Sequence, residues 1–475
     1  MDPDSAPTAE YPAFQGLFIP YRLQMVLAGS LEHYTTGPTN QAEATYWHES
    51  VHWWQTAMTG YGHNAWHLFR QLTGFVFNEW LKETAVSPAG RVISLDSLLA
   101  GREQRNAQLH AVKWTAENTL RIASARFRVR DPDKDFKSLF VVPPPGAGPW
   151  KINPEIRIGG EPYWLQGMDV AEAHARWSEV MFRRMFHEVS FDQILQREVS
   201  PKYRIAFEWF ASEVGGDRSL LFPFVCDLAL QTIWNDMPQT EDEWQATSPS
   251  WRFYRLTTAI RNGAGTRDVA ALIDNYTNAA DELLAACGFS PLEAVTDAAV
   301  KRANYRKPNM LIEERMFAAM RFRQKYPFCL AYPWAVPEIW QELQEDYQPP
   351  IIQISGKINL HLPPIRRAPE ISCDPSAFMT EVAGELLLQA FVMQILGKEP
   401  EIRPVPGMLQ CGFAYFNVQD VCPHQVRDNC PGSFVPANGP PFPAEQHLHS
   451  DDVGCPLEKM LWAAGVKVKD LQLRS

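Results

Sequence analysis

Apolar residues recur every three or four positions along most of the chain, which is the spacing of amphipathic α-helices. The clearest apolar stripe consists of Trp47, Val51, Trp54 and Met58. A polar stripe on another face of the same segment consists of Gln41, Thr45, His48, His52, Gln55 and Thr59. Asn40, followed three residues later by Glu43, favours a capped start of this helix. Gly60 and Gly62 favour its end directly after the stripe.

The same periodicity predicts a mainly helical chain. The predicted helices cover about 41–58, 62–82, 103–126, 168–186, 201–234, 266–286, 309–325 and 375–397. Two stretches favour extended structure instead. Residues 152–158 and 161–165, separated by Gly159-Gly160, predict a β-hairpin, and residues 351–358 predict one further strand.

These elements predict a mainly α fold with a small β-hairpin or sheet element, in the α+β class. The last 75 residues depart from the helical pattern, because Pro, Cys, Gly and His become frequent there. We therefore expect two regions: residues 1–400 as a mainly helical catalytic domain, and residues 401–475 as an irregular Pro/Cys-rich segment packed on it.

Composition and charge narrow the range of functions. The net charge is −11 with a pI near 5.6, which argues against a nucleic-acid partner because nucleic-acid binders normally carry a basic patch. No basic and apolar leader is visible at the start of the chain, and the longest apolar stretch, 386–396, is too short to span a bilayer. We therefore expect a cytoplasmic protein with no membrane partner, in which the eight cysteines are thiols or metal ligands.

The polar stripe contains the sequence His48-Glu49-Ser50-Val51-His52, an HExxH motif. Histidines four residues apart lie one above the other on a helix, so both rings can reach one cation, typically Zn²⁺. Glu49 projects further round the helix, where it can take a proton from a water molecule that the metal activates. The residues that flank the motif are uncharged, as is usual for zinc sites of this type.

A hydrolytic zinc site needs a third protein ligand, and several carboxylates are candidates. Glu172 is the first choice, because it follows the predicted hairpin and lies one turn before Ala175, whose small side chain allows a close approach of the metal helix. The other candidates are Glu208, Glu213 with Asp217, and Glu381 with Glu385.

The segment from His48 to Gln55, continuing to Thr59 and Gly62, resembles a little-characterised bacterial family of HExxH proteins. Its pattern is His-Glu-x-x-His-aromatic-x-Gln, followed shortly by Thr and Gly, and by a later Gly…Glu-x-x-Ala helix. Gly167 and Glu172 to Ala175 fit that later helix. The resemblance implies a zincin-like helical metal site of the gluzincin type, in which His48, His52 and Glu172 bind zinc.

Other histidines and cysteines lead to weaker expectations. His63 and His67 are expected in surface or core roles, and His174 or Asp169 is a candidate to orient a ligand. The C-terminal region is rich in metal-binding residue types, namely Cys411, Cys422, His424, Cys430, His447, His449 and Cys455. Four of these residues could form a second zinc site, but their irregular spacing favours ordinary thiols.

The leading hypothesis is a zinc-dependent metallopeptidase that cleaves a protein or peptide substrate. An alternative is an Fe(II)-dependent oxygenase, because two histidines and a carboxylate also suit that metal. A second alternative is a non-catalytic interaction protein that needs the metal only for folding. The sequence contains neither a Walker loop nor a Gly-x-Ser-x-Gly elbow, and it gives no prediction of substrate identity or oligomeric state.

Overall fold

A computed structural model describes a large part of the chain. The described residues are 16–19, 24–27, 40–64, 66–67, 151, 153–187, 203–232, 240–265, 269–306, 311–349, 351–354 and 357–360. Several predictions lie outside these residues: the helices at 103–126 and 375–397, the part of helix 62–82 beyond residue 67, and the C-terminal segment 401–475.

The described part of the chain is mainly helical with small β-sheets, which confirms the predicted α-rich class with a minor β component. The helices are α1 (Asn40–Ala57), α2 (Gly167–His187), α3 (Ile205–Val214), α4 (Phe222–Leu230), α5 (Glu241–Thr247), α6 (Pro249–Arg261), α7 (Val269–Asp274), α8 (Tyr276–Ala286), α9 (Leu292–Arg306), α10 (Leu311–Lys325) and α11 (Pro337–Asp346). A 3₁₀-helix, Gly216–Leu221, connects α3 to α4. No described helix has the length and apolar character that a membrane span requires.

The predicted helices 41–58, 168–186 and 309–325 are confirmed by α1, α2 and α10. The prediction of one helix over 201–234 was wrong, because Gly215 has a φ of 89° and the 3₁₀-helix follows it. The predicted helix over 266–286 is likewise two helices, α7 and α8, separated at Asn275. Sequence periodicity did not predict α5, α6, α9 and α11. Two of these, α6 and α11, begin at a proline, which is well suited to the first turn of a helix.

The predicted hairpin is confirmed by β3 (Glu155–Ile158) and β4 (Glu161–Trp164), which pair antiparallel across Gly159-Gly160. Both turn glycines have positive φ angles, 58° and 93°, which a glycine adopts without steric cost. Within the described residues this hairpin is a two-stranded sheet that leads directly into α2.

A second sheet joins distant parts of the chain. It contains β1 (Gly16–Ile19), β2 (Gln24–Leu27), β5 (Ile351–Ile354) and β6 (Lys357–Leu360), in the order β1-β2-β5-β6. The prediction of one strand over 351–358 was wrong, because β5 ends at Ile354 and the chain returns antiparallel as β6. Only the β2–β5 pair is parallel among these, and it joins residues more than 300 positions apart in the sequence.

Helix α2 lies between two hydrophobic cores. Ala173 and Trp177 pack into one core with α3, α4, α6 and α8, whereas Ala175 and Phe182 pack into the other with α1, α10 and α11. The apolar stripe of α1 is buried in the second core, as predicted. Because both of its lateral faces are packed, α2 holds its polar residues against α1 in a fixed register.

Candidate metal centre

The two histidines of the motif lie one above the other on α1, as their spacing requires. Both side chains are buried, and their ring centroids are 4.9 Å apart with the ring planes at 80°. The buried Trp47, Val51 and Trp54 anchor the opposite side of the helix in the core. The packing of α1 therefore turns both imidazoles towards α2.

Glu172 of α2 meets both histidines. Its Oε2 atom lies 3.2 Å from Nε2 of His52 and 3.4 Å from Nε2 of His48. One ligand atom from each of the three residues lies within 4.8 Å of the other two, and all three residues are buried. The structure thus brings together the three residues that the sequence analysis selected as ligands.

The other candidate carboxylates that the structure describes, Glu208 and Glu213, lie on α3. Glu208 forms an ion pair with Arg204 on α3, and Glu213 forms one with Arg261 of α6. Glu381 and Glu385 lie outside the described residues. Among the described candidates, Glu172 is the one that reaches the two histidines.

Hydrogen bonds to Asp169 fix the start of α2, and with it the position of Glu172. Oδ2 of Asp169 accepts a hydrogen bond of 2.8 Å from the backbone N–H of Gln166, next to the helix start. The same oxygen accepts a bond from the hydroxyl of Tyr163 on β4. Asp169, which was a candidate to orient a metal ligand, ties the hairpin to the first turn of α2 through these two bonds.

Gln55 contacts the nitrogen of His52 that does not face Glu172. Nδ1 of His52 lies 2.8 Å from Oε1 of Gln55, while Nε2 of Gln55 lies 3.0 Å from the carbonyl of Ala171 and 3.2 Å from Nδ1 of His174. Burial is the main cause that lowers the pKa of His174 to about 4, so this ring is neutral at neutral pH. His174 was a candidate to orient a ligand, and near the site it contacts Gln55, which in turn contacts His52.

His48 has a different neighbour behind it. Nδ1 of His48 lies 3.4 Å from Oε2 of Glu179, whose other oxygen is 2.5 Å from the guanidinium of Arg176. Burial by itself lowers the pKa of His48, but the carboxylates of Glu172 and Glu179 outweigh it and raise that pKa to about 10. Without a cation between the ligands, the raised pKa favours the protonated form of His48 at neutral pH.

The distances from the Glu172 carboxylate to the two imidazoles fit a small divalent cation. Ligand atoms about 2.0–2.2 Å from a tetrahedral zinc ion are separated from one another by about 3.3–3.6 Å. The two nitrogen–oxygen separations here are 3.2 and 3.4 Å. Two imidazoles and one carboxylate are also the donor types that zinc and iron accept.

Glu49 is buried beside this group, and its negative charge contributes to the raised pKa of His48. Strand β1 covers it. A Cβ atom added to Gly16 would lie 2.9 Å from Cγ of Glu49 and 2.6 Å from Cγ2 of Thr45. A glycine at this point of β1 lets the strand lie directly against the motif.

The two histidines after the motif have structural positions. Nε2 of His63 lies 2.7 Å from the carbonyl of Ala57, and burial lowers the pKa of His63 to about 4. Nδ1 of His67 lies 3.9 Å from a carboxylate oxygen of Glu313 on α10. Both positions agree with the expectation of surface or core roles for these residues.

Sequence reasoning did not assign roles to three neighbours of the site. Gln55 lies three residues after His52, and Glu179 lies seven residues after Glu172, so helical spacing could have identified both. Tyr203 lies just before α3, and its ring centroid is 5.6 Å from that of His48. No sequence pattern links Tyr203 to the motif.

A comparison of the chain with protein-family models, with curated proteins and with solved structures finds no match in any of the three. The resemblance to gluzincin-type HExxH proteins therefore stays a prediction.

Proposed function

We propose that this protein is a zinc-dependent hydrolase, and specifically a metallopeptidase that cleaves an amide bond in a protein or peptide substrate. The observation that carries this proposal is the buried group of His48, His52 and Glu172, with Glu49 next to it on the same helix. The cytoplasmic location of the protein stays a prediction.

Each residue has a role that its position supports. His48, His52 and Glu172 would hold the ion. When bound, zinc lowers the pKa of a water molecule and polarises a substrate carbonyl. Glu49 would accept a proton from water as the water oxygen bonds to the carbonyl carbon, and would deliver it to the amine nitrogen as the amide C–N bond breaks. A carboxylate beside the ligands is needed for this proton transfer and not for holding the ion.

The ligand count favours a catalytic site over a purely structural one. Structural zinc sites use four protein ligands and leave no position open, whereas hydrolytic sites use three. Among the described residues, three potential ligands meet at one point. The same donor set suits Fe(II) oxygenases, so the identity of the metal and the use of dioxygen distinguish these two functions.

Replacement of Glu49 by Gln tests the proposed hydrolysis. The amide keeps the shape of the side chain but cannot take a proton from water. Zinc-loaded wild-type protein should generate new peptide termini in a proteome-derived peptide library, as read by mass spectrometry. Glu49→Gln should retain the zinc and cleave at least about 100-fold more slowly, which is the lower end of general-base contributions.

Glu43→Gln is the matched control, because it changes a carboxylate to an amide in the first turn of the same helix. This control should cleave like the wild type. Comparable cleavage by Glu49→Gln would show that Glu49 is not the general base. If the protein binds iron, consumes oxygen only when substrate is present and cleaves no peptide, the peptidase hypothesis is wrong and the oxygenase hypothesis is supported.

A further inference from the structure

The side chain of Gln55 connects the helix that carries the two histidines to the helix that carries Glu172. Its amide oxygen lies 2.8 Å from Nδ1 of His52, one turn back on α1. Its amide nitrogen lies 3.0 Å from the carbonyl oxygen of Ala171, the residue just before Glu172 on α2. One buried amide thus contacts a candidate ligand directly and the backbone beside another.

The orientation of this amide follows from the chemistry of its partners. A carbonyl oxygen can only accept a hydrogen bond, so the NH₂ group of Gln55 must face Ala171. The amide oxygen then faces His52 and can only accept. Nδ1 of His52 must therefore carry the hydrogen, and the second N–H of Gln55 donates to Nδ1 of His174, at 3.2 Å.

The protonation of Nδ1 determines which nitrogen of His52 can bind a cation. In the neutral ring the lone pair is on Nε2, the atom that lies 3.2 Å from Oε2 of Glu172. We propose that Gln55 is a positioning residue of the metal centre, which fixes both the tautomer and the angle of the His52 ring. This inference rests on the proposed metal site and adds to it a residue that does not touch the ion.

The same amide also controls the distance between two ligands. Its bond to Ala171 ties the His52 ring to the turn of α2 that presents Glu172, and its contact with His174 adds a second attachment to that helix. A residue one methylene shorter would not span both helices, and an apolar residue of equal length would lose all three contacts. Glutamine combines the required acceptor, donors and length.

Metal affinity and ligand geometry test the proposal in the full-length protein. Gln55→Met keeps the length but removes the acceptor and both donors, whereas Gln55→Glu keeps an acceptor for His52. Gln348→Met is the matched control, because Gln348 is also buried and its amide bonds to the Tyr46 hydroxyl and the Leu343 carbonyl. Zn²⁺ affinity is measured by chelator competition, and Co²⁺ replaces zinc to report geometry through its visible spectrum.

We expect Gln55→Met to bind Zn²⁺ about 10–100-fold more weakly than the wild type, which is the usual effect of losing a partner behind a metal-binding histidine. Its Co²⁺ bands should change in position or intensity. Gln55→Glu keeps the acceptor for His52 but loses both donors to α2, so its affinity should lie between those of the wild type and Gln55→Met. Gln348→Met should bind both ions like the wild type even if it unfolds more easily.

Wild-type Zn²⁺ affinity and Co²⁺ bands in Gln55→Met would overturn the positioning role. Equal losses in Gln55→Met and Gln348→Met would also overturn it, because they would indicate a general effect on stability. A wild-type protein that binds neither ion would instead overturn the proposed function itself, so the two failures are distinguishable.

Discussion

His48 and His52 point Nε2 at the same oxygen of Glu172, but the groups behind their rings differ in charge. His52 faces the neutral amide of Gln55, and His48 faces the carboxylate of Glu179, which Arg176 partly neutralises. A carboxylate behind an imidazole makes that ring more basic. His48 should therefore hold a proton tightly in the metal-free protein and become a strong ligand once that proton leaves.

This difference predicts how the stability of the metal-free protein depends on pH. The pKa of His48 is raised from 6.5 to about 10 in the folded protein. The stabilisation is therefore fully present below about pH 6.5 and is lost as the pH rises through about 10. The free energy of unfolding should fall across this range, with a slope of at most about 1.4 kcal/mol per pH unit for one proton.

Denaturant unfolding at several pH values, with a chelator present, measures this slope. In His48→Gln, the free energy of unfolding should lack the decrease with pH that His48 causes in the wild type. Saturation with zinc should also remove this decrease, because the ion takes the place of the proton. An identical pH dependence in wild type and His48→Gln would contradict the ion pairs assigned to His48.

At the scale of helices and strands, the sequence predicted those elements that depend on the periodicity and turn residues of their own segment. The apolar and polar stripes of α1 are visible in the sequence, and Gly159-Gly160 marks the turn of the β3–β4 hairpin. The sheet of β1, β2, β5 and β6 was not predictable in this way. Its parallel β2–β5 pair joins two short segments through contacts that neither segment encodes locally.

The glycines after α1 also show that the local sequence does not reveal contacts with distant parts of the chain. Gly60 and Gly62 follow the end of α1 at Ala57, as predicted, but neither has a positive φ, and a new helical stretch begins at residue 60. Gly60 is required for a different reason. A Cβ atom there would lie 1.9 Å from the carbonyl oxygen of Thr232, so the two backbones are in direct contact.

Substitution of Gly60 by Ala should therefore destabilise the protein by at least about 3 kcal/mol, the upper end of ordinary overpacking costs, because a backbone atom cannot move aside easily. Gly216→Ala is the control, since nothing lies within 4 Å of its added Cβ atom. Denaturant unfolding of both variants measures the difference. If Gly60→Ala unfolds like Gly216→Ala, the close approach to Thr232 is wrong.

Across the whole molecule, a buried ion pair joins the two hydrophobic cores. Nη2 of Arg323, on α10, lies 2.6 Å from Oδ2 of Asp227, on α4, and neither side chain is exposed. The hydroxyl of Tyr276 and the amide of Gln231 also donate to Asp227. The carboxylate thus connects α4, α8 and α10.

Removal of one charged partner of this pair should strongly destabilise the protein. Asp227→Asn should lower the free energy of unfolding by about 3–5 kcal/mol, because it leaves the Arg323 charge buried without its counterion. The double variant Asp227→Asn with Arg323→Met should lose less than the sum of the single losses, with a coupling of about 0.5–3 kcal/mol. Additive losses in this double-mutant cycle would contradict a direct buried pair.

The candidate site was predictable from sequence to a limited depth. The HExxH spacing selected His48, His52 and Glu49, and the position of Glu172 after a hairpin selected the third candidate ligand. The supporting contacts were not predictable to the same degree. Helical spacing relates Gln55 to His52 and Glu179 to Glu172, but the partners of these two side chains on the other helix follow from the packing of α1 on α2. Tyr203 belongs to a different part of the chain, and no pattern links it to the motif.

The most direct test of this account is metal analysis of the purified protein, with X-ray absorption at the metal edge. We predict one zinc ion per chain, bound by two imidazoles and a carboxylate with zinc–ligand distances of about 2.0–2.2 Å. His48→Ala, His52→Ala and Glu172→Ala should each lower the zinc content, while Glu208→Ala should not. Absence of a tightly bound metal, or full occupancy in Glu172→Ala, would contradict the assignment of this site.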